Sequence, residues 1–352
     1  MGDSFIMKVV FYRHSLLNRG GDKIIITYAN YLAQRGHKVK IYTNTVRTVF
    51  KISSKVKILK IPLSSKLGTI LWGLNHSFKA DIIIADIIVL ALILSFRNKN
   101  KVVYFAQDYD VFYYSDKLRQ TLLKLIYWIA LKILRLPCIA VSHSLKRELM
   151  PYTDFIEIVT NGVDLNVFYY DPDPNLLHKK EDRKAILIFA RKEYRKGFDI
   201  ALRVISSLIR EVKLKKLEIW AIGDPIPREL LPYKIRNFGY VKEEKLRKLL
   251  SSVDVLFYPS RHEGLPLLVL EALACKCPVV TTNVVNFISK AGIIFISNVD
   301  DEKDLKSNLI KIINSDTQHI RKCDFSFIKK FDLDSQKAKF EISLNKFYLL
   351  GK

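Results

Sequence analysis

Glu263 and Glu271 bracket a turn and a helix whose residue types suit a ligand that is anionic in the middle and rich in hydroxyls at its ends. An apolar run, Val255-Leu256-Phe257-Tyr258, ends in Pro259-Ser260 just before them, which predicts a buried strand breaking into a polar turn. After Gly264, the residues Leu267, Leu268, Leu270 and Leu273 recur at helical spacing. Pro266 suits a first helical turn, where its missing N–H is not needed. Glu263 then sits at the mouth of the helix, with Glu271 about two turns along the same face. The amides of Gly264, Leu265, Leu267 and Leu268 point at that mouth, where an anion is favoured. A carboxylate only accepts hydrogen bonds, so it suits vicinal hydroxyls that donate them. A nucleotide-sugar, with hydroxyls at both ends and a diphosphate between, answers this description. Ordinary helix capping by Glu263, with Glu271 in solvent, answers it too.

The elements that must position these groups repeat a strand–loop–helix pattern. Met7–Tyr12 reads as a buried strand, followed by a loop holding Gly20 and Gly21, a helix from about Asp22 to Arg35, and a second strand after Gly36. Such a β–loop–α–β unit implies a parallel sheet. Strand Lys101–Ala106 ends in Gln107-Asp108-Tyr109-Asp110, at the carboxyl edge where parallel sheets bind ligands. Asp108 there suits sugar hydroxyls or a base for an acceptor hydroxyl, and equally suits a turn or cap. Polar residues from Tyr169 to Lys184 read as a linker. A second series begins with strand Ala185–Ala190 and the basic run Arg191-Lys192-Glu193-Tyr194-Arg195-Lys196 before Gly197. Strand Ile219–Ile222 comes next, with Gly223 and Asp224 at its carboxyl end.

The string from Tyr258-Pro-Ser-Arg-His-Glu263 through Glu271 to Pro278-Val-Val resembles the donor-site signature of family 4 retaining glycosyltransferases. Arg191-x4-Lys196-Gly197 and Asn161-Gly-Val-Asp164-x3-Phe168 resemble further elements of that family, as does the pair Gly20-Gly21. The resemblance implies a GT-B fold: two Rossmann-like α/β domains with parallel sheets facing across a cleft. It divides the chain into an acceptor-side domain 1–168, a linker 169–184, a donor domain 185–333 and a helix 334–352 packing back on the first domain. It implies that Glu263 contacts the donor sugar, Glu271 the ribose, and the Gly264–Leu268 backbone the diphosphate. Arg191 and Lys196 would neutralise the departing diphosphate, on which negative charge grows as the glycosidic bond breaks. Lys192 and Arg195 read as solvated neighbours. Gly20 and Gly21 would let backbone approach the donor or acceptor, and Gly223, Asp224 and Tyr240 would lie near the nucleotide base. Asp108 stands where many members carry a His. Lys276 replaces a usual Gly, and Val284-Val285-Asn286-Phe287 replaces a glycine-rich turn. Tyr104-Phe-Ala-Gln-Asp-Tyr-Asp110 is similar to members that transfer rhamnose in surface-polysaccharide synthesis.

The activity this resemblance implies is a retaining transfer from a nucleotide-sugar to a glycan, lipid-linked or protein-linked acceptor, by a front-face mechanism. No metal and no cofactor are expected. Alternatives are a nucleotide-sugar epimerase of the same architecture, or a non-catalytic membrane or nucleic-acid binder with a degenerate site.

Composition sets the bounds. At 352 residues with 49% hydrophobic content, the chain holds two cores and is not disordered. No apolar run spans a bilayer, and the N-terminus lacks signal-peptide character, so a cytoplasmic place is expected, at most peripheral to the inner membrane face. The cysteines Cys138, Cys275, Cys277 and Cys323 lack metal-ligand spacing and suit a reducing compartment. A net charge of +23 calls for an anionic partner, a membrane surface or phosphorylated substrate; no aromatic–basic motif points to nucleic acid. Lys117–Arg135 is a basic, leucine-rich helix with Trp128 and no acid. It reads first as packed between sheet and surface with its lysines snorkelling, and second as an interfacial membrane helix.

Overall fold

The computed structural model describes residues 6–213, 216–284 and 292–351. Runs of Ile, Val and Leu without polar alternation form strands covered on both faces. Strands β1 (Lys8–Tyr12), β3 (Lys38–Thr43), β5 (Lys57–Lys60), β6 (Ile82–Ala85), β7 (Val102–Ala106), β8 (Cys138–Ala140) and β9 (Ile156–Ile158) form a parallel sheet in the order β5-β3-β1-β6-β7-β8-β9. A short parallel pair, β2 (Ser15–Leu16) and β4 (Thr45–Val46), lies outside it. Strands β10 (Lys184–Ala190), β11 (Leu217–Gly223), β12 (Lys234–Gly239), β13 (Val255–Tyr258), β14 (Val279–Thr282) and β15 (Ile294–Ser297) form a second parallel sheet, ordered β12-β11-β10-β13-β14-β15. Strands β6, β7, β11, β13 and β14 are buried at every position. The strand order reverses between β1 and β6 in the first sheet and between β10 and β13 in the second. At such a reversal, loops leave the carboxyl ends in opposite directions and open a crevice for ligand.

The chain divides into two units, Met1–Asn161 with Asp334–Lys352, and Gly162–Leu333. The second unit therefore starts earlier than the expected domain boundary after residue 168. The reason is a close approach: a Cβ on Gly162 would lie 2.6 Å from Leu333 Cα. Hydrogen bonds from Val163 N to Phe331 O (2.8 Å) and from Leu333 N to Val163 O (3.0 Å) tie the outgoing and returning segments together.

Residues 169–184 do not form a free linker. Asp171 and Asp173 donate backbone N–H bonds to Ser251 and Ser252 Oγ, and Asp173 caps a helix, Pro174–Lys180. Lys180 reaches Asp254 at 2.8 Å. The polar residues that suggest a solvated tether in fact cap and pair within the second unit. In the first unit the final helix, Leu333–Leu350, buries Phe340 in a stack on Tyr28 (4.1 Å) and against Phe105. Its Glu341 accepts hydrogen bonds from the Tyr31 hydroxyl (2.9 Å) and Arg35 Nε (3.2 Å) and pairs with His37 Nε2 (3.0 Å).

Candidate active site

At the reversal point of the second sheet, β10 delivers Arg191 and β13 delivers the turn to Glu263. Between Arg191 and the helix Phe198–Ser207, the chain makes a single turn, Tyr194–Lys196, closed by Gly197 in the left-handed region (φ 65°). Only glycine fits: a Cβ at 197 would lie 1.8 Å from Pro259 O. That contact locks the basic turn against the Glu263 turn. Arg195 O also receives the amide of Arg261 (2.7 Å) and the Ser260 hydroxyl (2.7 Å).

The result is a direct pair between Lys196 and Glu263, with Nζ at 2.7 Å from Oε1 and 3.0 Å from Oε2. Both side chains are largely buried, at 13% and 6% exposure. The Tyr258 hydroxyl donates to Glu263 Oε1 at 2.7 Å, and Ser260 Oγ lies 2.8 Å from the same oxygen. Burial at this depth excludes a purely solvated cap for Glu263, because an ionised carboxylate there needs its cation. Arg191 is held by Glu193, lies 3.3 Å from the Tyr240 hydroxyl and faces the Phe189 ring. Tyr240 in turn donates to Asp224 at 3.1 Å.

Glu193 is not marked out by the sequence, since it sits inside a charge run that looks like an ordinary surface. Its other oxygen takes Arg195 at 3.0 Å, so Arg195 is an organised partner and not a solvated neighbour. Burial pushes the Glu193 carboxyl up, but Arg191, Arg195 and Lys196 outweigh it and hold it below its usual range. A second unforeseen clamp holds the turn from outside. Arg261 grips Asp199 through two bonds of 2.7 Å and lies 3.9 Å over the Tyr194 ring. Those hydrogen bonds lower the Asp199 carboxyl to about 2. Because Asp199 opens the helix after Gly197, the clamp fixes both ends of the basic turn.

The helix at the site runs Leu267–Ala274, with Pro266 as its N-cap and not within its first turn. Among the described residues no side chain caps it and no acid lies in its first turn, so its leading amides are open to an incoming anion. Glu271 is 5% exposed, which rules out a side chain standing in solvent. Gly264 and Leu265 are buried in the turn before the helix. Gly223 adopts φ 99°, where a Cβ would meet Ala190 O at 2.5 Å, and this close approach brings the β11 end against β10. Lys276 has a structural explanation. It takes the left-handed conformation (φ 55°) just past the helix, where Cys277 N bonds Ala272 O and Lys276 N bonds Leu273 O. This helix end favours glycine, and Lys fills it with an exposed side chain about 12 Å from the site's end of the helix. Of the turn Val284–Phe287, residues 285–287 lie outside the described residues.

At the reversal point of the first sheet the chemistry differs. Gly20 and Gly21 open the helix Gly20–Gln34, where a Cβ on Gly21 would meet Gln107 Oε1 at 2.9 Å. Asp22 in its first turn is fully buried and pairs with Arg13 and with Arg19 Nε (3.0 Å). Arg13 also reaches Asp86 (3.1 Å), which accepts from Gln107 Nε2 at 3.1 Å. Burial raises the Asp86 carboxyl, with Arg13 opposing. Asp108 is buried; one oxygen accepts the Tyr109 amide and the other the Tyr113 hydroxyl, both at 3.0 Å. Its geometry is that of a turn former, and the expectation of a base or sugar ligand gains no support from it.

Two family models match the chain: Glycosyltransferase Family 4 over residues 18–167, and Glycosyl transferases group 1 over residues 183–315. The chain belongs to the family 4, group 1 glycosyltransferases. An uncharacterized glycosyltransferase of Methanocaldococcus jannaschii is 30% identical over 166 residues, 42% of each chain. O-antigen chain mannosyltransferase B of Escherichia coli is 31% identical over 86 residues, 24% of this chain and 22% of that protein. The chain thus aligns with less than half the length of either curated relative. Among solved structures, Anabaena HepE in complex with UDP and glucose superposes with a TM-score of 0.75, at 16% identity, over 97% of this chain and 100% of that one. That likeness establishes the GT-B fold of this glycosyltransferase.

Proposed function

We propose that this glycosyltransferase moves a sugar, with retention of configuration, from a nucleotide-sugar donor held on its second unit to a glycan or lipid-linked acceptor. The observation that carries the reading is the buried Lys196–Glu263 pair set before the uncapped end of the Leu267–Ala274 helix. The ammonium and the helix amides supply fixed positive charge at one place, and Arg191 adds a second cation. Preorganised charge of this kind stabilises a leaving diphosphate without reorganising at the moment of reaction. Glu263 brings a carboxylate for sugar hydroxyls, and Glu271 one for a ribose.

In the proposed step, the bond from the anomeric carbon to the β-phosphate oxygen breaks as the acceptor oxygen bonds to the same face. The acceptor proton passes to the departing phosphate. Charge on the diphosphate is met by Lys196, Arg191 and backbone N–H, so the reading requires no metal. Support for the donor class comes from HepE, solved with UDP and glucose, and support for a polysaccharide acceptor from the O-antigen mannosyltransferase.

The test is cleavage of UDP-, GDP- and dTDP-sugars with and without acceptor. Arg191→Ala is expected to lower turnover of the accepted donor by roughly 10²- to 10³-fold, and Glu271→Ala to raise its KM. Wild-type rates in both variants overturn the site, and donor conversion to an isomer without acceptor marks an epimerase.

A further inference from the structure

In the first unit, the short β2–β4 ladder carries the segments leaving β1 and β3 forward side by side. His14 and Asn44 stand at its root, and the structure fixes His14 at both backbone and ring. The His14 carbonyl accepts the Asn44 amide (3.0 Å) and the Thr43 hydroxyl (3.1 Å). Its ring Nδ1 lies 2.8 Å from Thr69 Oγ1, in the helix Lys66–Asn75. Thr69 Oγ1 is itself held, accepting from Asn44 Nδ2 at 2.7 Å and donating to the Ser65 carbonyl at 3.1 Å. The other ring nitrogen, Nε2, has no partner among the described residues, and the ring is only half-buried. A ring anchored through one nitrogen and open at the other is preorganised to meet a ligand at the carboxyl edge of the sheet.

The charges around His14 indicate the ligand's chemistry. Burial, then Lys66 and Arg19, hold the His14 imidazole below its usual range, so at neutral pH the ring is uncharged. An uncharged imidazole matches a hydroxyl in either tautomer, since a hydroxyl both donates and accepts. Arg13 and Arg19 are already met by Asp22 and Asp86. Lys66 is not. It is exposed and has no acid partner among the described residues. It also opens its helix, where a cation opposes the dipole and no acid in the first turn offsets it. A neutral glycan would leave that imbalance standing, whereas a ligand bringing a negative charge to Lys66 and a hydroxyl to Nε2 removes it. We propose that His14 and Lys66 form a binding site on the first unit for a saccharide acceptor that carries a negative charge, as phosphate or carboxylate, besides the hydroxyl it presents to His14 Nε2. That the bound saccharide is the acceptor rests on the transfer proposed above; its binding does not require the donor.

The test is binding to the full chain, without donor, of the 6-phosphates and uronates of glucose, mannose and galactose, against the free hexoses and inorganic phosphate. Calorimetry gives the affinity, and the His14 ring resonances, assigned by their loss in His14→Asn, give the place. At least one phosphorylated or uronic sugar is expected to shift those resonances and to bind at least about tenfold more tightly than its free hexose. Whether phosphates or uronates do so fixes the class of charge. Lys66→Ala is expected to remove that advantage. His14→Asn, whose amide can still reach Thr69 but which lacks Nε2, is expected to bind about tenfold more weakly at an unchanged melting temperature. The proposal is overturned if no sugar shifts the His14 resonances, or if inorganic phosphate binds as tightly as every sugar phosphate. Wild-type affinity in His14→Asn also overturns it, leaving the ring as a strut between loop and helix, and so does wild-type affinity in Lys66→Ala. Because no donor is present, sugar binding without any cleavage of nucleotide-sugars would count against the transfer reading alone.

Discussion

The two sheets reach their reversal points with the same parts and opposite results. Each offers an arginine at the end of its central strand, Arg13 after β1 and Arg191 after β10, and a helix whose start faces the carboxyl edge. In the first unit the start of Gly20–Gln34 already holds an anion, the buried Asp22, and Arg13 and Arg19 are bound to it. In the second unit the start of Leu267–Ala274 has, among the described residues, neither an acid in its first turn nor a capping side chain. Its nearby carboxylate, Glu263, sits outside the helix and holds a lysine. A helix terminus compensated from within has little left for a phosphate, whereas one flanked by a paired lysine can take one. Glycine before a helix therefore does not by itself make a phosphate site; the residue in the first turn decides.

The contrast between the units is most vulnerable at Lys196. Lys196→Ala is expected to lower donor cleavage by roughly 10²- to 10³-fold and, by leaving Glu263 buried without its cation, to cost on the order of 3 kcal/mol of stability. The double variant Lys196→Met/Glu263→Gln separates the two effects, recovering the melting temperature but not the rate. Full recovery of both would deny the second unit its special role.

Asp22→Asn probes the other side. With Asp86 and the Ser15 carbonyl left to Arg13, thermal unfolding is expected to show a loss of about 1–3 kcal/mol, while KM for the donor stays within about twofold. A donor KM that rose as sharply as in a Lys196 variant would erase the distinction between the units. The smallest effect is expected at Lys276→Gly, which relieves a left-handed side chain at the far end of the site helix. Denaturant unfolding should show a gain of about 0.5–1 kcal/mol with unchanged kinetics. Loss of activity there would mean that the lysine serves the donor after all.

Much of the second unit is legible in the sequence. Buried strands ending in Arg191 and in Pro259-Ser260, a glycine after a basic run, and a leucine-spaced helix after Gly264 are local patterns, each with a local cause. Residues 169–184 mislead because Asp and Pro look alike whether they solvate a tether or cap a helix. Glu193 and Arg261 escape notice because a charged residue in a polar turn carries no sign of what it will meet. The Lys117–Tyr127 helix is expected to pack between sheet and surface, yet only Leu123 and Tyr127 of it are buried while Leu118, Leu122 and Leu125 are exposed, since its leucines recur on more than one stripe and one stripe alone can face the core.

From the chain's residues alone come the stretches that form strands and helices, the parallel order they imply, and the side chains able to meet a diphosphate and its sugars. Those follow from periodicity, glycine and proline geometry, and side-chain chemistry over a few neighbouring residues. Which charges pair is settled only in three dimensions: Lys196 with Glu263, Asp22 with Arg13, Asp199 with Arg261. Ion pairing depends on distances between segments far apart in the chain, and burial sets how strongly each pair is felt. Neither quantity exists until the sheets have closed.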